Sequence, residues 1–308
     1  MAEKSESNIK IIHGYDVDGT LSFPNESIPV FTKEFIKGLH QNFGVVGVLS
    51  SGKSASYLEN QAKGCHIFHW FAENHAVYQK QGETPQVIDK DSLEHLIIIR
   101  HAIGLEPTQE GISKIHFSDT EGEVAIEEGK FGVLTIFPEN GPVAKRWTFN
   151  EKFTRRQVYD KLNEIIQKEK LRLSVLEPHG DGAIDVVRLD KYNRQLDKSS
   201  FASLCQDIFE GNLNLAYFGD GTNDIPAWNN SDVYGVTFKN APDSVKASVS
   251  NKGYKGYISS LNGPEGGVYS GVVYLATEGF YGEKQSKNVE LYGKEFLDAY
   301  KKQKVIFV

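Results

Sequence analysis

The run Tyr15-Asp16-Val17-Asp18-Gly19-Thr20-Leu21 places two carboxylates two residues apart at the end of an apolar segment, Ile9 to Tyr15. In extended chain, residues i and i+2 share a side, so Asp16 and Asp18 face one cleft while Val17 turns toward the sheet. Gly19 lets the chain turn sharply. Carboxylates held this close repel, and both are kept by sharing a proton or binding a cation. A hard divalent cation with oxygen ligands, Mg²⁺, meets that demand. Alone, the same run also reads as ordinary Asp-Gly turn chemistry.

A second cluster stands far downstream. Leu213 to Phe218 is apolar and ends in Gly219-Asp220-Gly221-Thr222-Asn223-Asp224-Ile225-Pro226. Neither cluster is a calcium loop of the EF-hand kind. Such a loop needs glycine at position six and glutamate at position twelve, where these have Leu21 and Ser27, or Ile225 and Ser231. A third segment, Gly47 to Ser54, matches the phosphate-loop pattern G-x-x-x-x-G-K-[ST] letter for letter. Alone it suggests a nucleoside triphosphatase. Against this, Val48 and Leu49 continue the apolar run Val45-Val46-Gly47, which puts the first glycine inside a strand, and both acidic clusters are left without a task.

The two acidic clusters resemble the first and fourth signature motifs of the haloacid dehalogenase (HAD) superfamily of phosphohydrolases. Val45 to Leu49 followed by Ser50-Ser51-Gly52-Lys53 resembles the second, a strand ending in Ser or Thr with glycine after it. Leu196-Asp197-Lys198-Ser199-Ser200 opens a helix-patterned stretch with Phe201, Leu204, Cys205 and Ile208 on one face, and Lys198 sits where the family places its lysine. Phe71-Ala72-Glu73-Asn74-His75-Ala76 is similar to the Glu-Asn-Gly-Ala stretch of the type IIB-capped, Cof-like branch, with His75 in place of glycine. Asn240-Ala241-Pro242-Asp243 is similar to the Asn-Ala segment before that branch's last core helix. The resemblance spans residues 9 to 268.

This resemblance implies a Mg²⁺-dependent phosphomonoesterase. Asp16 would attack phosphorus and form an aspartyl-phosphate, and Asp18 would serve as general acid and then base. The metal would be held by the carboxylates of Asp16 and Asp220 and the backbone carbonyl of Asp18, with Asn223 and Asp224 supporting its water shell. Ser51, Gly52, Lys198 and Asn240 would bind the phosphate. The substrate implied is a small phosphorylated molecule, a sugar phosphate above all. A phosphomannomutase-like enzyme is the alternative, but its fourth motif carries extra residues where only Gly221-Thr222 separate Gly219-Asp220 from Asn223-Asp224. A non-catalytic phosphosugar-binding member would be expected to lose Asp16 or Asp18. The acid at the Asp18 position likewise sets aside a dehalogenase.

The elements that must position these residues alternate between strand and helix at both ends of the chain. Phe31, Phe35, Ile36 and Leu39 repeat at helical spacing, Ser54 to Ala62 follows the second strand, and Ile67 to Ala72 reads as a third. The middle reads as two helix-strand-strand units. The helices are Asp91 to Ile103 and Glu151 to Lys168; the strands are Ile112 to Phe117, Phe131 to Phe137, Leu171 to Leu176 and Ala183 to Leu189. That pattern predicts an antiparallel sheet with helices on one face. The fold expected is α/β: a Rossmann-like parallel core, residues 1–79 and 189–308, with an inserted α+β cap, 80–188, and hinges at Gln79 to Thr84 and Arg188 to Asn193. Lys145, Arg146, His179, Asp181 and Arg188 are polar cap residues available to select substrate. The extension 271–308 brings Tyr274, Phe280, Tyr281, Tyr292 and Phe296, aromatics open to two readings, core packing or an oligomer contact, of which core leads.

At 308 residues, two domains are the natural expectation. A net charge of −7 without a Lys/Arg stripe excludes broad nucleic-acid binding. No apolar stretch approaches membrane-spanning length, and Met1 to Asn8 is polar, so no membrane partner is expected and the expected location is cytoplasmic. Two cysteines, Cys65 and Cys205, make no disulfide framework, and His66 and His69 beside Cys65 lack a fourth partner for zinc.

Overall fold

The computed structural model describes residues 9–103, 112–116, 123–127, 130–137, 155–176 and 184–306. In chain order the strands are β1 (Ile9–Tyr15), β2 (Val46–Ser50), β3 (His69–Ala72), β4 (Val77–Lys80), β5 (Gln86–Val87), β6 (Ile112–His116), β7 (Glu123–Glu127), β8 (Val133–Phe137), β9 (Leu173–Val175), β10 (Ile184–Arg188), β11 (Asn212–Phe218), β12 (Val233–Thr237) and β13 (Gly256–Ile258). The helices are α1 (Val30–Phe43), α2 (Ala55–Ala62), α3 (Leu93–Ala102), α4 (Arg155–Lys168), α5 (Phe201–Ile208), α6 (Ile225–Trp228), α7 (Asp243–Ser250), α8 (Gly267–Thr277) and α9 (Glu283–Ile306).

The first sheet runs β13-β12-β11-β1-β2-β3-β4-β5, parallel from β13 through β3 and antiparallel thereafter. Its central strands read as apolar because both faces are covered. Ile11, Tyr15, Ala216 and Phe218 join the core under α1, α2 and α8, while Ile12, Leu215 and Tyr217 join the core under α5, α6 and α7. That alternation is the period of two expected of strands. The α/β core with helices on both faces agrees with the sequence reading.

The Gly47 side of the phosphate-loop pattern is strand. Gly47 lies inside β2 opposite His13, and a Cβ there would come within 2.9 Å of the Ile67 side chain. Residues 47–50 are therefore extended and packed, with no arc left to wrap a phosphate.

The second sheet is antiparallel, β6-β7-β8-β10-β9. Leu96 and Ile99 of α3 and Val158, Leu162 and Ile166 of α4 pack on Ile126, Leu134, Ile136, Leu173, Ile184 and Val186, so both helices share one core with the sheet. The sequence reading has four strands here; the fifth, β7, pairs with β6 and β8. Where the first hinge is expected, Gln79 to Thr84, the chain instead makes the turn of the β4–β5 hairpin, and pairing in the first sheet continues to Val87. The passage between the sheets falls at residues 88–92 and just after Arg188.

Arg188 is fully buried at that passage. Its guanidinium donates to the carbonyls of Gly132 (3.2 Å), Ala76 (3.2 Å) and Ile88 (2.7 Å), and also to that of Asp89. An exposed, substrate-selecting role is therefore corrected: every contact named is to backbone at the crossing. Lys145, Arg146, His179 and Asp181 lie outside the described residues. Arg188→Met would strip several buried carbonyls of their donor, and loss of about 3 kcal/mol of stability is expected, read as a lowered melting midpoint. An unchanged midpoint would refute the locking role.

Of the C-terminal aromatics, Phe280 and Tyr281 are buried in the core of the first sheet, Tyr292 and Phe296 are half-buried against it, and Tyr274 is half-buried. Tyr292 stacks on Phe35 at 5.4 Å, Phe296 packs on Phe31 and Phe35, and Tyr274 stacks on Tyr257 at 4.5 Å. Gly38 is needed for this packing, because a Cβ would lie 1.8 Å from the Tyr292 hydroxyl. Tyr281 reaches back to His13 (3.1 Å), whose other nitrogen meets Tyr15 (2.8 Å). Burial pushes the His13 imidazole down to about 3, so it is neutral in that chain of bonds. Cys65 and Cys205 are both buried and free. Among the described residues no helix is long and apolar enough to cross a membrane.

Candidate active site

Strand register assembles the site. Tyr15 pairs with Leu49 on one side and Phe218 on the other, so Asp16 stands level with Ser50 and Gly219 at the carboxyl ends of three adjacent parallel strands. The Asp16 N–H still donates to Phe218 O at 2.8 Å. Crevices at such strand ends are where open α/β sheets bind ligands.

Asp16, Asp220 and Asp224 each offer an oxygen within 4.8 Å of the others. Lys198 enters the cluster from the 3₁₀ turn Lys198–Ser200 with only 1% of its surface exposed, and its Nζ donates to Asp16 Oδ1 (2.7 Å) and Asp224 Oδ1 (2.6 Å). Thr20 donates to Asp220 Oδ1 at 3.1 Å, and Gly221 N–H and Tyr217 O–H donate to Asp224 at 2.8 and 3.0 Å. Gly19, at φ 85, passes so close to Asp220 that a Cβ would lie 2.2 Å from its carboxylate. The turn needs glycine for both space and conformation.

Three carboxylates face one ammonium, which leaves the cluster with excess negative charge. Burial opposes the charge on Lys198, but Asp16 and Asp224 outweigh it and hold the ammonium above its ordinary range. Burial, with Asp224 beside it, pushes Asp220 up to about 7. Asp16 is raised for the same first reason; Lys198 opposes the shift, and the neighbouring carboxylates add to it. An all-oxygen, over-negative cluster is the donor set that suits a hard divalent cation.

Asp18 sits apart from this cluster. Its Oδ1 accepts from Asn25 N–H (2.9 Å) and Tyr57 O–H (3.1 Å), and both bonds fall on that one oxygen. Ser51 is buried directly after β2, and its hydroxyl accepts from Lys53 N–H at 3.3 Å. Gly52 faces Asn74, whose Oδ1 would lie 3.1 Å from a Cβ at that position. Asn223 is on the exposed side of its turn. Asn240 has a different task from the expected phosphate contact: its amide donates to Gly19 O (3.0 Å) and Asp220 Oδ2 (2.9 Å), and its oxygen accepts from Gly263 N–H (3.0 Å). With those groups engaged, Asn240 braces Asp220. Thr20, Ser50, Tyr57 and Tyr217 were not picked out from sequence.

The second sheet meets the site through the turn after β3. Glu73 accepts from the N–H groups of Phe131 (2.8 Å) and Gly132 (2.5 Å), and Asn74 donates to Asp185 Oδ2 at 3.0 Å. Asp185 also accepts from Thr135 at 2.6 Å, to which Lys130 donates at 2.7 Å.

Residues 14–252 match the family model described as haloacid dehalogenase-like hydrolase. No curated protein matches the chain. Among solved structures, a hypothetical protein from Geobacillus kaustophilus HTA426 is similar at 17% identity and a TM-score of 0.55, over 88% of this chain and 99% of that one. BT1666 from Bacteroides thetaiotaomicron, from a study of phosphatases of the haloalkanoate (HAD) enzyme superfamily, is similar at 18% identity and 0.54, over 91% and 97%. TM0651 from Thermotoga maritima is similar at 17% identity and 0.53, over 84% and 95%.

Proposed function

The chain belongs to the haloacid dehalogenase-like hydrolases, and on that premise we propose that it is a Mg²⁺-dependent phosphomonoesterase acting on a sugar phosphate through an aspartyl-phosphate. The observation that carries this reading is the convergence of Asp16, Asp220, Asp224 and Lys198 at the ends of β1 and β11.

Asp16 and Asp220, with the backbone carbonyl of Asp18, are the groups we assign to hold Mg²⁺. Asp224 supports them, since its two oxygens already accept three hydrogen bonds. When bound, the cation supplies charge that offsets repulsion between an anionic nucleophile and an anionic phosphate. Lys198 fixes Asp16 by Oδ1, which leaves Oδ2 to attack phosphorus. The bond from phosphorus to the leaving oxygen breaks with its electron pair, and Asp18 hands that oxygen a proton from Oδ2, the oxygen not engaged by Tyr57 and Asn25. Water then attacks the phosphorus held on Asp16 and gives its proton to Asp18, and the bond from phosphorus to Asp16 breaks, which returns the Asp16 carboxylate and releases phosphate. Lys198, the Ser51 hydroxyl and the amide of Gly52 steady the phosphoryl oxygens. The polar group of Asn74, Asp185, Thr135 and Lys130, where the second sheet meets the first, suits a hydroxyl-rich leaving group. We assign that second sheet and its helices as the cap, able to shield the cleft from water.

Phosphate release from a panel of sugar phosphates, nucleotides and ATP tests the reading, with Mg²⁺ and with chelator. Metal-dependent release from phosphosugars is expected. Hydrolysis of ATP alone, insensitive to Asp16→Asn but lost in Lys53→Ala, would contradict it.

A pH signature follows for the metal-free protein. Asp220 is raised from 3.8 to about 7, so the folded state holds a proton that the unfolded chain releases. Its contribution to stability is full below the unfolded value and is lost as pH rises through about 7. Mg²⁺ takes the place of that proton. Thermal stabilisation by saturating Mg²⁺ is therefore expected to be larger at about pH 8 than at about pH 5.5. Equal shifts at both pH values would contradict the assignment of Asp220.

A further inference from the structure

His75 stands where the resembled branch carries glycine, and its backbone is in the region glycine favours. It is the last of three successive left-handed residues, Glu73, Asn74 and His75, at φ 55, 54 and 69. An L side chain is held there only when its surroundings over-determine it. His75 is fully buried, with its ring centroid 5.0 Å from that of Phe71 and 6.4 Å from that of Phe201.

Both ring nitrogens are engaged. Nε2 lies 2.6 Å from Ser50 Oγ and Nδ1 lies 3.1 Å from Ser200 Oγ. Ser200 donates its own hydrogen to Asp197 O at 2.8 Å, so it accepts from His75 Nδ1–H. Burial, aided by the Lys198 charge, holds the ring neutral, so Nε2 accepts from the Ser50 hydroxyl. Beyond Ser50 the path continues to the Tyr217 hydroxyl, 2.8 Å away, which donates to Asp224. Asp224 accepts from Lys198, and Lys198 opens the 3₁₀ turn that Ser200 closes. The chain of contacts thus returns to its start.

We infer that His75 is a positioning residue for phosphoryl transfer: its imidazole ties the turn carrying Lys198 to the end of β2 that leads into Ser51, and so sets the spacing of the two phosphoryl-oxygen donors. The inference rests on the roles given above to Lys198 and Ser51. Glycine at this position would relax the backbone but leave the lysine turn and the strand end unconnected.

The test uses full-length His75→Gly, His75→Asn, His75→Phe and Ser200→Ala, assayed with Mg²⁺ on the best substrate of the panel. His75→Gly folds without backbone strain, and its kcat is expected to fall about 10- to 100-fold, the usual cost of losing a supporting hydrogen bond, with little change in KM. His75→Asn tolerates the left-handed backbone and places an amide donor near Ser200, so it recovers part of the rate. His75→Phe fills the volume without the bonds and stays impaired. Ser200→Ala, which leaves the turn after β3 untouched, is impaired in the same direction. Free imidazole restores rate to His75→Gly. An unimpaired His75→Gly, or a His75→Phe faster than His75→Asn, would overturn the inference. Nitrogen NMR of the ring adds a readout independent of turnover: the Nδ1–H tautomer is expected at neutral pH, and an Nε2–H tautomer would refute the wiring. Wild-type protein inactive on the whole panel would instead sink the functional reading itself.

Discussion

Asp16→Asn is expected to lower phosphate release by at least about 10⁴-fold, because an amide oxygen cannot replace the carboxylate that we propose bonds to phosphorus. The same substitution should leave the metal-free protein as stable as wild type or more so. Asp16 is one of three clustered carboxylates, two buried and one half-buried, that share a single ammonium's neighbourhood, and burial has already raised it well above its ordinary range. An asparagine still accepts from Lys198 while removing one unit of repulsion. Paired measurements of turnover and melting midpoint separate these effects. A variant that loses activity only because it unfolds would show a lowered midpoint, contrary to this expectation.

Lys198→Met has the opposite profile. The ammonium is the one cation bonded to Asp16 and Asp224 among the described residues, and it is buried with them. Its removal leaves uncompensated buried carboxylates, a loss of about 3–5 kcal/mol, together with about 10²- to 10³-fold in kcat through lost stabilisation of the phosphoryl group. The sign of the pH dependence follows from the raised carboxyls. Protonation at acid pH relieves their repulsion, so the stability deficit should shrink as pH falls from about 8 to about 5. Mg²⁺ should recover part of it. A deficit that grows toward acid pH would contradict the account.

Much of the site could be read from the chain because its parts lie at strand ends, where an apolar run changes abruptly into acids and glycines. Asp16, Asp220 and Asp224 carry that local mark, whereas Lys198 opens a helix-patterned stretch and is legible only through the family resemblance; the structure brings these four together. Tyr217 and Ser50 were hidden by the same logic. Tyr217 belongs to an apolar run and Ser50 directly follows one, so neither announces a site residue, and only parallel pairing through β1 brings their hydroxyls together. Tyr57 was hidden as a helix residue, although its hydroxyl reaches Asp18 from the first turn of α2. The neighbours of Asn240 in sequence suggest a phosphate contact, but its partners Gly19, Asp220 and Gly263 come from three separate segments.

The fold shows the same division. β1, β2, β11 and α1 follow from apolar spacing alone. β7 was missed because its glutamates at both ends leave only Val124, Ala125 and Ile126 to signal a strand, and its place is set by pairing with β6 and β8. Arg188 looks solvent-seeking by type, yet several backbone carbonyls from both sides of the crossing converge on it. No local pattern announces that convergence.

The most direct measurement is mass spectrometry of the protein quenched in acid during turnover of its best phosphosugar with Mg²⁺. One added phosphoryl group is expected on the peptide that contains Asp16, absent with chelator and absent in Asp16→Asn. Phosphoryl on a different residue, or phosphate release undiminished in Asp16→Asn, would contradict it.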